Sequence, residues 1–430
     1  MESNNIKIYT LGCYKNQVDS EKLAGKIEKS GGEVVHTDKF EGNTFILNTC
    51  GFIGDAKEES IEAIMQAIKA KKEGKIRRIV VMGCLSERYK KELEQEIPEV
   101  DAWFGVDSFD QISHWLNLPK YQETGIARKL ANPSHYAYLK IAEGCSRKCS
   151  FCAIPNIRGS HHSRPINEIM DEAQWLASKG VKEIILISQD LTSYGIDLYK
   201  KQMITQLVGQ LSESHLFPWI RLHYLFPASF PEDLLHLMAT HENICPYIDI
   251  PLQHISDRIL KSMHRGIDKA STIALIEKFR NLMPHAALRS TFIIGYPGET
   301  NKEFNELLNF ISDVRFERVG VFTYSEEEGT AAALLNDDVD ETTKNLRAEK
   351  LMEIQSKISL EKNVALIGKT LEVLIDRKEG DYFIGRTRYD SPEIDNEVWV
   401  KSTSAQLQIG QFYPVFIERA DLYEIYGKPC

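Results

Sequence analysis

Apolar and polar positions in the first hundred residues switch repeatedly between two periods. Ile6–Thr10, Phe45–Asn48 and Ile76–Met82 are short apolar runs, which predict strands covered on both faces. Gln17–Glu28, Ala56–Lys71 and Ser86–Glu96 space their apolar residues by three and four, which predicts amphipathic helices after those strands. Strands alternating with helices give a parallel sheet with right-handed crossovers. A further β-like piece, Ala102–Val106, closes this unit, and residues 118–133, polar with a proline near each end, read as a linker.

A second alternating series begins at Tyr136. Tyr138–Ala142, Glu183–Ser188, Trp219–Tyr224, Tyr247–Ile250, Ala287–Ile294 and Arg318–Tyr324 read as strands. Helical patterns such as Ile166–Ser178, Ser256–Met263 and Lys269–Leu282 lie between them, and Glu341–Leu366 reads as a long charged helix. Six such units predict an open, partial (β/α) barrel with its site at the C-terminal strand ends. From Lys369 the runs become short and β-rich: Leu371–Ile375, Tyr382–Arg386, Val398–Val400, Phe412–Glu418 and Asp421–Tyr426. They predict a small antiparallel barrel of OB-like form. The expected fold class is therefore multidomain α/β, divided at 1–120, 134–363 and 364–430.

Composition narrows the setting. No apolar run approaches the roughly 18 residues that cross a bilayer, and the polar start Met1–Asn5 carries no secretory signal, so a cytoplasmic location is expected. The formal net charge of −10 disfavours a large nucleic-acid surface and would attract a basic partner. Residues 364–430 hold eight Lys or Arg against eleven Asp or Glu, so the last barrel is acidic where an RNA-binding one should be basic.

Eight cysteines without a secretion signal point to metal binding or catalysis rather than disulfides. Cys145, Cys149 and Cys152 form a C-x3-C-x2-C loop just after the first strand of the second series. Three close thiolates suit an iron–sulfur cubane with one open iron, whereas structural zinc closes with four ligands. A zinc knuckle completed by His161 or His162 is the alternative, although those histidines are expected in a solvated loop. Cys13, Cys50 and Cys84 are distant in sequence yet each follows a predicted parallel strand and precedes a helix. Crevices beyond such strand ends bind ligands, and strands about 5 Å apart could bring the three to one metal site. Singly, each would pass for a small buried hydrophobe. Cys245 reads as core and Cys430 as a terminal thiol.

With its aromatic Phe151 before the last cysteine, the C-x3-C-x2-C loop resembles the radical S-adenosylmethionine (SAM) superfamily. Together with the upstream three-cysteine unit and a terminal barrel similar to a TRAM domain, nearly the whole chain resembles the methylthiotransferases. Leu11–Asn16, Asn48–Ile53, Cys152–Gly159, His223–Pro227, Gly385–Arg388 and Ser391–Asp395 resemble the branch that modifies an aspartate of ribosomal protein S twelve. The resemblance implies two 4Fe–4S clusters, one on Cys145, Cys149 and Cys152 and one on Cys13, Cys50 and Cys84. It also implies SAM as cofactor, sulfide or polysulfide as sulfur source, and a low-potential electron donor such as flavodoxin or ferredoxin.

By the same resemblance the clusters and SAM carry the chemistry, so no side chain is assigned a catalytic role. Phe151 would lie against the adenine, Ser188, Gln189 and Asp190 near the SAM amino group, Arg265 at its carboxylate, and Gly295–Glu299 beside the adenine. From position alone, the glycines could simply turn the chain and Asp190 could cap a helix. A monomer without membrane contact is expected. The competing expectations are a transferase for a modified adenosine of tRNA, and an iron–sulfur scaffold without catalysis.

Overall fold

The first five strands, β1 (Asn5–Thr10), β2 (Glu33–His36), β3 (Gly42–Thr49), β4 (Ile76–Gly83) and β5 (Ala102–Trp103), pair in parallel in the order β2-β1-β3-β4-β5. The computed structural model describes residues 5–120, 125–131, 135–401 and 407–430. Helix α1 (Tyr14–Lys29) covers one face, where Leu23, Ala24 and Ile27 meet Ile6, Ile8 and Ile46. Helices α2 (Gly54–Lys72) and α3 (Cys84–Glu96) lie with the opposite face, where Ala63, Ile64 and Ala67 meet Phe45, Leu47 and Ile79. Successive side chains in β3 and β4 therefore enter different cores, which is why those strands read as unbroken apolar runs.

Strand β2 was not expected. Its four residues, Glu-Val-Val-His, bury only Val34 on an edge, too little for a periodic signal. The expected strand at Ala102–Val106 is shorter, because regular pairing with β4 ends at Trp103.

Residues 121–124 and 132–133 of the expected linker lie outside the described residues. Between them, Arg128 is buried rather than loose. It donates to Glu21 of α1 at 2.8 Å, to Glu172 at 2.8 Å and to the Tyr138 carbonyl at 2.7 Å. Gly25 permits this crossing, since a Cβ there would lie 2.2 Å from the Arg128 nitrogen.

Strand β6 (Tyr136–Lys140) starts the partial barrel. A two-stranded ribbon, β7 (Ala142–Glu143) with β8 (His162–Ser163), flanks the cysteine loop, and the short helix α5 (Ile154–Arg158) lies within it; α4 (Phe109–Trp115) precedes β6. Strands β9 (Glu183–Ile187) and β10 (Trp219–Leu222) continue the sheet in the order β6-β9-β10. Strands β11 (Tyr247–Asp249), β12 (Ala287–Ile294) and β13 (Arg318–Thr323) form a second parallel sheet, and an Ile220–Ile244 bridge joins the two. The largest core lies between these strands and their outer helices. The long helix Glu341–Val364 adds Leu351 and Ile358 to it and is capped by Asp340, which accepts from the Thr343 amide.

The last five strands, β14 (Thr370–Glu379), β15 (Tyr382–Thr387), β16 (Glu397–Lys401), β17 (Phe412–Ala420) and β18 (Glu424–Pro429), close a barrel in the order β14-β15-β16-β18-β17. It is not wholly antiparallel: β16 and β18 run parallel. A ring of five strands cannot alternate direction throughout, so one parallel pair is forced by closure.

The β15–β16 connection docks this barrel onto the larger one. Tyr247 donates to Asp395 at 2.6 Å, Arg318 donates to Asp390 at 3.0 Å, and His223 shares a hydrogen bond with Ser391 at 2.9 Å. Arg386 pairs with the fully buried Glu183, and Tyr14 of α1 donates to the Pro392 carbonyl at 3.3 Å. All three parts of the chain meet at this connection.

Candidate functional site

Cys13, Cys50 and Cys84 stand at the ends of β1, β3 and β4, which are hydrogen-bonded neighbours. Glycines beside them permit the approach. A Cβ on Gly12, whose φ is +82°, would fall 2.6 Å from the Cys50 Cβ and 2.9 Å from its sulfur. A Cβ on Gly51 would lie 2.6 Å from the Leu85 Cα, just beyond Cys84, and one on Gly83 would lie 2.4 Å from Asn48 Oδ1. Cys13 sits at the N-cap of α1 without bonding its amides there, and Cys84 opens α3, so two helix N-termini face this point. Their dipoles favour an anionic occupant.

The second set is held by a tight loop. Gly144, at φ +72°, brings the backbone against the far side of the loop: a Cβ would lie 2.1 Å from the Ser160 carbonyl. The Cys145 amide donates to the Gly159 carbonyl at 3.0 Å, and the Ser150 amide to the Met263 carbonyl at 3.1 Å. Arg147 offers its amide to the Cys145 sulfur at 3.4 Å, and Arg265 its guanidinium to the Cys149 sulfur at 3.2 Å. Phe226 lies between those two cations, 4.1 Å from Arg147 and 4.2 Å from Arg265.

The donor chemistry fits two cubanes. All eight cysteines are free thiols. Among the described residues, no three His, Cys, Asp or Glu side chains gather tightly enough to close around one ion. A cubane spreads three thiolates over three irons, so its ligands stand wider apart than the tetrahedral set of zinc. Burial pushes the Cys50 and Cys145 thiols up to about 11 and the Cys84 and Cys152 thiols up to about 12. Bound metal removes that penalty by holding the thiolate. The histidines of the zinc alternative turn elsewhere. His161 bonds Ser163 at 3.1 Å, and the exposed His162 stands 3.8 Å from Asp197. His161 is buried, contrary to the expectation of a solvated loop: it lies just before β8, with its amide donating to the Ser146 hydroxyl at 3.1 Å.

A buried charge network that the sequence did not reveal joins the two sets. Arg158 of α5 places Nε 3.4 Å from the Cys84 sulfur and Nη2 2.6 Å from Asn16 Oδ1. Its Nη1 is 3.0 Å from Asp19 and 3.0 Å from Glu143, the residue before Gly144. Lys140 of β6 also pairs with Asp19 and Glu143, and Gln189 donates to Glu143 at 2.6 Å. Burial pushes the Glu143 carboxyl up, but Lys140 and Arg158 outweigh it and hold Glu143 well below the usual carboxylate range. No spacing rule marks these residues, which meet only through the tertiary fold.

The residues expected around SAM are dispersed along the strand ends. Phe151 packs with Met263, Ile293 and Tyr296. The Ser188 hydroxyl accepts from the Asp190 amide at 3.2 Å, while Asp190 caps a single turn at Leu191–Ser193 and pairs with Arg147 at 2.7 Å. Gly295 turns at φ +70° and donates its amide to Glu299 at 3.0 Å. Glu299 is buried against Arg347 of the long helix at 2.8 Å. It braces that turn, and its carboxylate is already engaged.

Family models match in three places: an uncharacterized protein family, UPF0004, over residues 5–105, the radical SAM superfamily over 139–311, and the TRAM domain over 367–430. Proteins named ribosomal protein uS12 methylthiotransferase RimO are similar along the entire length. The one from Phocaeicola vulgatus is 51% identical over 430 residues, covering 100% of each chain. The one from Christiangramia forsetii is 49% identical, covering 100% of this chain and 95% of that protein. Among solved structures, the radical SAM methyltransferase TsrM from Kitasatospora setae, with cobalamin and a 4Fe–4S cluster bound, is similar with a TM-score of 0.54 at 14% identity over 75% of each chain. The cobalamin-dependent SAM radical enzyme OxsB matches at a TM-score of 0.52 and 14% identity, covering 83% of this chain and 56% of that one. At such identities these two speak for the fold alone. The identity of about half to the first group, over the whole length of this chain, places it in the family of RimO ribosomal protein uS12 methylthiotransferases.

Proposed function

We propose that this chain inserts a methylthio group at the β-carbon of an aspartate of ribosomal protein uS12. The observation that carries this reading is the pairing of two open three-cysteine sets, bridged across the interface by Arg158, Glu143, Lys140 and Asp19. A single set would serve SAM cleavage alone; a second one nearby gives sulfur a place of its own.

Cys145, Cys149 and Cys152 hold one 4Fe–4S cluster, and Cys13, Cys50 and Cys84 the other. When bound, the clusters and SAM supply the one-electron chemistry that removes hydrogen from an unactivated carbon, and the sulfur that replaces it. Sulfide or polysulfide is the sulfur source, and flavodoxin or ferredoxin the electron donor. The protein's own part is to bind, orient and shield. Arg265 and Arg147 offset the charge beside Cys149 and Cys145 and clamp Phe226 between them. Arg265 is also placed to meet the SAM carboxylate. Phe151 and the Gly295 turn border the adenine, with Glu299 bracing the turn. Ser188 and Gln189, just past the end of β9, would meet the SAM amino group.

The acidic terminal barrel suits a basic ribosomal protein. Its docking connection fixes it against the large barrel, and the protein works as a monomer in this reading. No helix among the described residues is long and apolar enough to cross a membrane, in keeping with work in the cytoplasm.

The test is an anaerobic turnover assay with reconstituted protein, SAM, reductant and sulfide. One tube receives recombinant uS12 and the other precursor tRNA, and mass spectrometry looks for an added methylthio group. A gain on an aspartate of uS12 is expected. A gain on tRNA alone overturns the substrate, and intact SAM with both clusters loaded overturns the catalytic reading.

A further inference from the structure

Lys15 lies two residues past Cys13 on the first turn of α1, and it is 92% buried. A buried ammonium is ordinarily paired, because taking it out of water is costly unless a counter-charge meets it. Among the described residues Lys15 has neither an ion pair nor a hydrogen bond for its Nζ. Its one close companion is the ring of Tyr224, whose centroid lies 3.2 Å from Nζ.

Of the acidic groups around Lys15, Cys13 is kept as a cluster ligand and the two carboxylates are committed elsewhere. Glu143 serves Lys140, Arg158 and Gln189. Asp249 accepts from Arg289 at 2.9 Å and from the Tyr224 amide at 2.8 Å. Tyr224 itself is held at φ +61°, a left-handed backbone rare for an aromatic residue. The Asp249 carboxylate on its amide and the Leu191 amide on its carbonyl keep it there. Such strain persists where the surroundings enforce it and collects at functional sites. Here it sets the ring beneath the Lys15 ammonium, across the interface between the N-terminal sheet and the large barrel.

We propose that Lys15 is the residue that selects a carboxylate-bearing substrate side chain, by receiving that carboxylate between the two cysteine sets. The inference rests on the reading of the protein as a uS12 methylthiotransferase and names the contact that would make an aspartate its target. Nζ donates hydrogen bonds to the incoming carboxylate, and Tyr224 supports the cation from below. No bond is made or broken. The ammonium sits within two residues of Cys13, so a carboxylate held on it brings its neighbouring carbon toward the sulfur-bearing side. An uncharged amide or a base edge would bring that cation no carboxylate, so the contact discriminates in favour of an acidic side chain.

The test compares wild type with Lys15→Met, each reconstituted anaerobically. Iron content, SAM binding and equilibrium binding of recombinant uS12 are measured, using uS12 with its target aspartate and uS12 with that aspartate changed to asparagine. Lys→Met keeps the stem volume and removes a buried charge, so it should fold. Wild type is expected to bind the aspartate form about 100-fold more tightly than the asparagine form. Lys15→Met is expected to bind both forms alike, at the weaker level, with iron and SAM binding unchanged. If Lys15→Met retains the preference, the inference falls and the uS12 reading stands. If Lys15→Met loses SAM or iron instead, Lys15 serves the cofactors and the inference is again overturned. If wild type neither binds nor modifies uS12, both readings fall together.

Discussion

The guanidinium of Arg158 touches the sulfur of Cys84 with Nε at 3.4 Å while its Nη1 holds both Asp19 and Glu143 at 3.0 Å. Helix α5 follows directly after Cys152, so one side chain ties the local cysteine loop to the sheet that carries the distant set. The two sets are thus mechanically one site. Removing a single partner from such a network leaves uncompensated buried charge, which costs about 3–5 kcal/mol. Arg158→Met is therefore expected to lower the anaerobic unfolding midpoint in denaturant and to release iron from the N-terminal set before the other. Equal iron loss from both sets would contradict this.

Replacing the cysteines by set separates their roles. Alanine at Cys13, Cys50 and Cys84 together should halve the iron content, leave SAM cleavage to 5′-deoxyadenosine in place and abolish methylthio transfer. Alanine at Cys145, Cys149 and Cys152 should halve the iron as well but abolish SAM cleavage. Iron analysis with chromatography of the nucleoside product checks each outcome.

Gly12→Ala tests the convergence of the first set with a single methyl group. The added Cβ would come 2.9 Å from the Cys50 sulfur at a backbone angle of +82°, and both displacement and strain oppose it. The expected result is loss of about four irons per chain, with circular dichroism little changed. Normal iron loading would show that the set does not need this approach.

His223 gives the docked barrel a pH signature. Burial pushes its pKa down to about 3, against about 6.5 in the unfolded chain. Above that unfolded value both states are neutral and the residue is silent. As pH falls from about 6.5 toward 3, the unfolded chain takes up a proton that the folded one refuses. Stability then drops by up to about 1.4 kcal/mol per pH unit from this residue. In His223→Asn the fall should be shallower than in wild type, although the loss of the Ser391 contact lowers stability throughout. Parallel slopes in thermal unfolding of the two would refute it.

The three distant cysteines were legible because each carries the same local grammar, an apolar run, a cysteine with a glycine beside it, then a helix, and the sheet then makes neighbours of those ends. The partial barrel was equally plain, since six apolar runs alternate with helical patterns in chain order. What joins the sites was not. Asp19, Lys140, Glu143 and Arg158 look like ordinary charged residues in sequence, and only tertiary packing buries them together. Glu299 stood out as the end of Gly-Tyr-Pro-Gly-Glu, but its pairing with Arg347, 48 positions downstream, did not. The parallel β16–β18 pair escaped for a different reason, because strand direction follows from closing the ring and no single run encodes it.

The two cysteine sets also differ in when they can exist. Cys145, Cys149 and Cys152 span eight residues, so a short loop can close on iron at little entropic cost, even in a chain still being made. Cys13, Cys50 and Cys84 are brought together only after two crossovers have folded and β1, β3 and β4 have paired. Arg158, the residue that fastens the early set to the late one, is synthesised after both. The sulfur-handling half therefore depends on the integrity of a whole sheet, the SAM-binding loop on one short closure, and a lesion far from either set can empty the first while sparing the second.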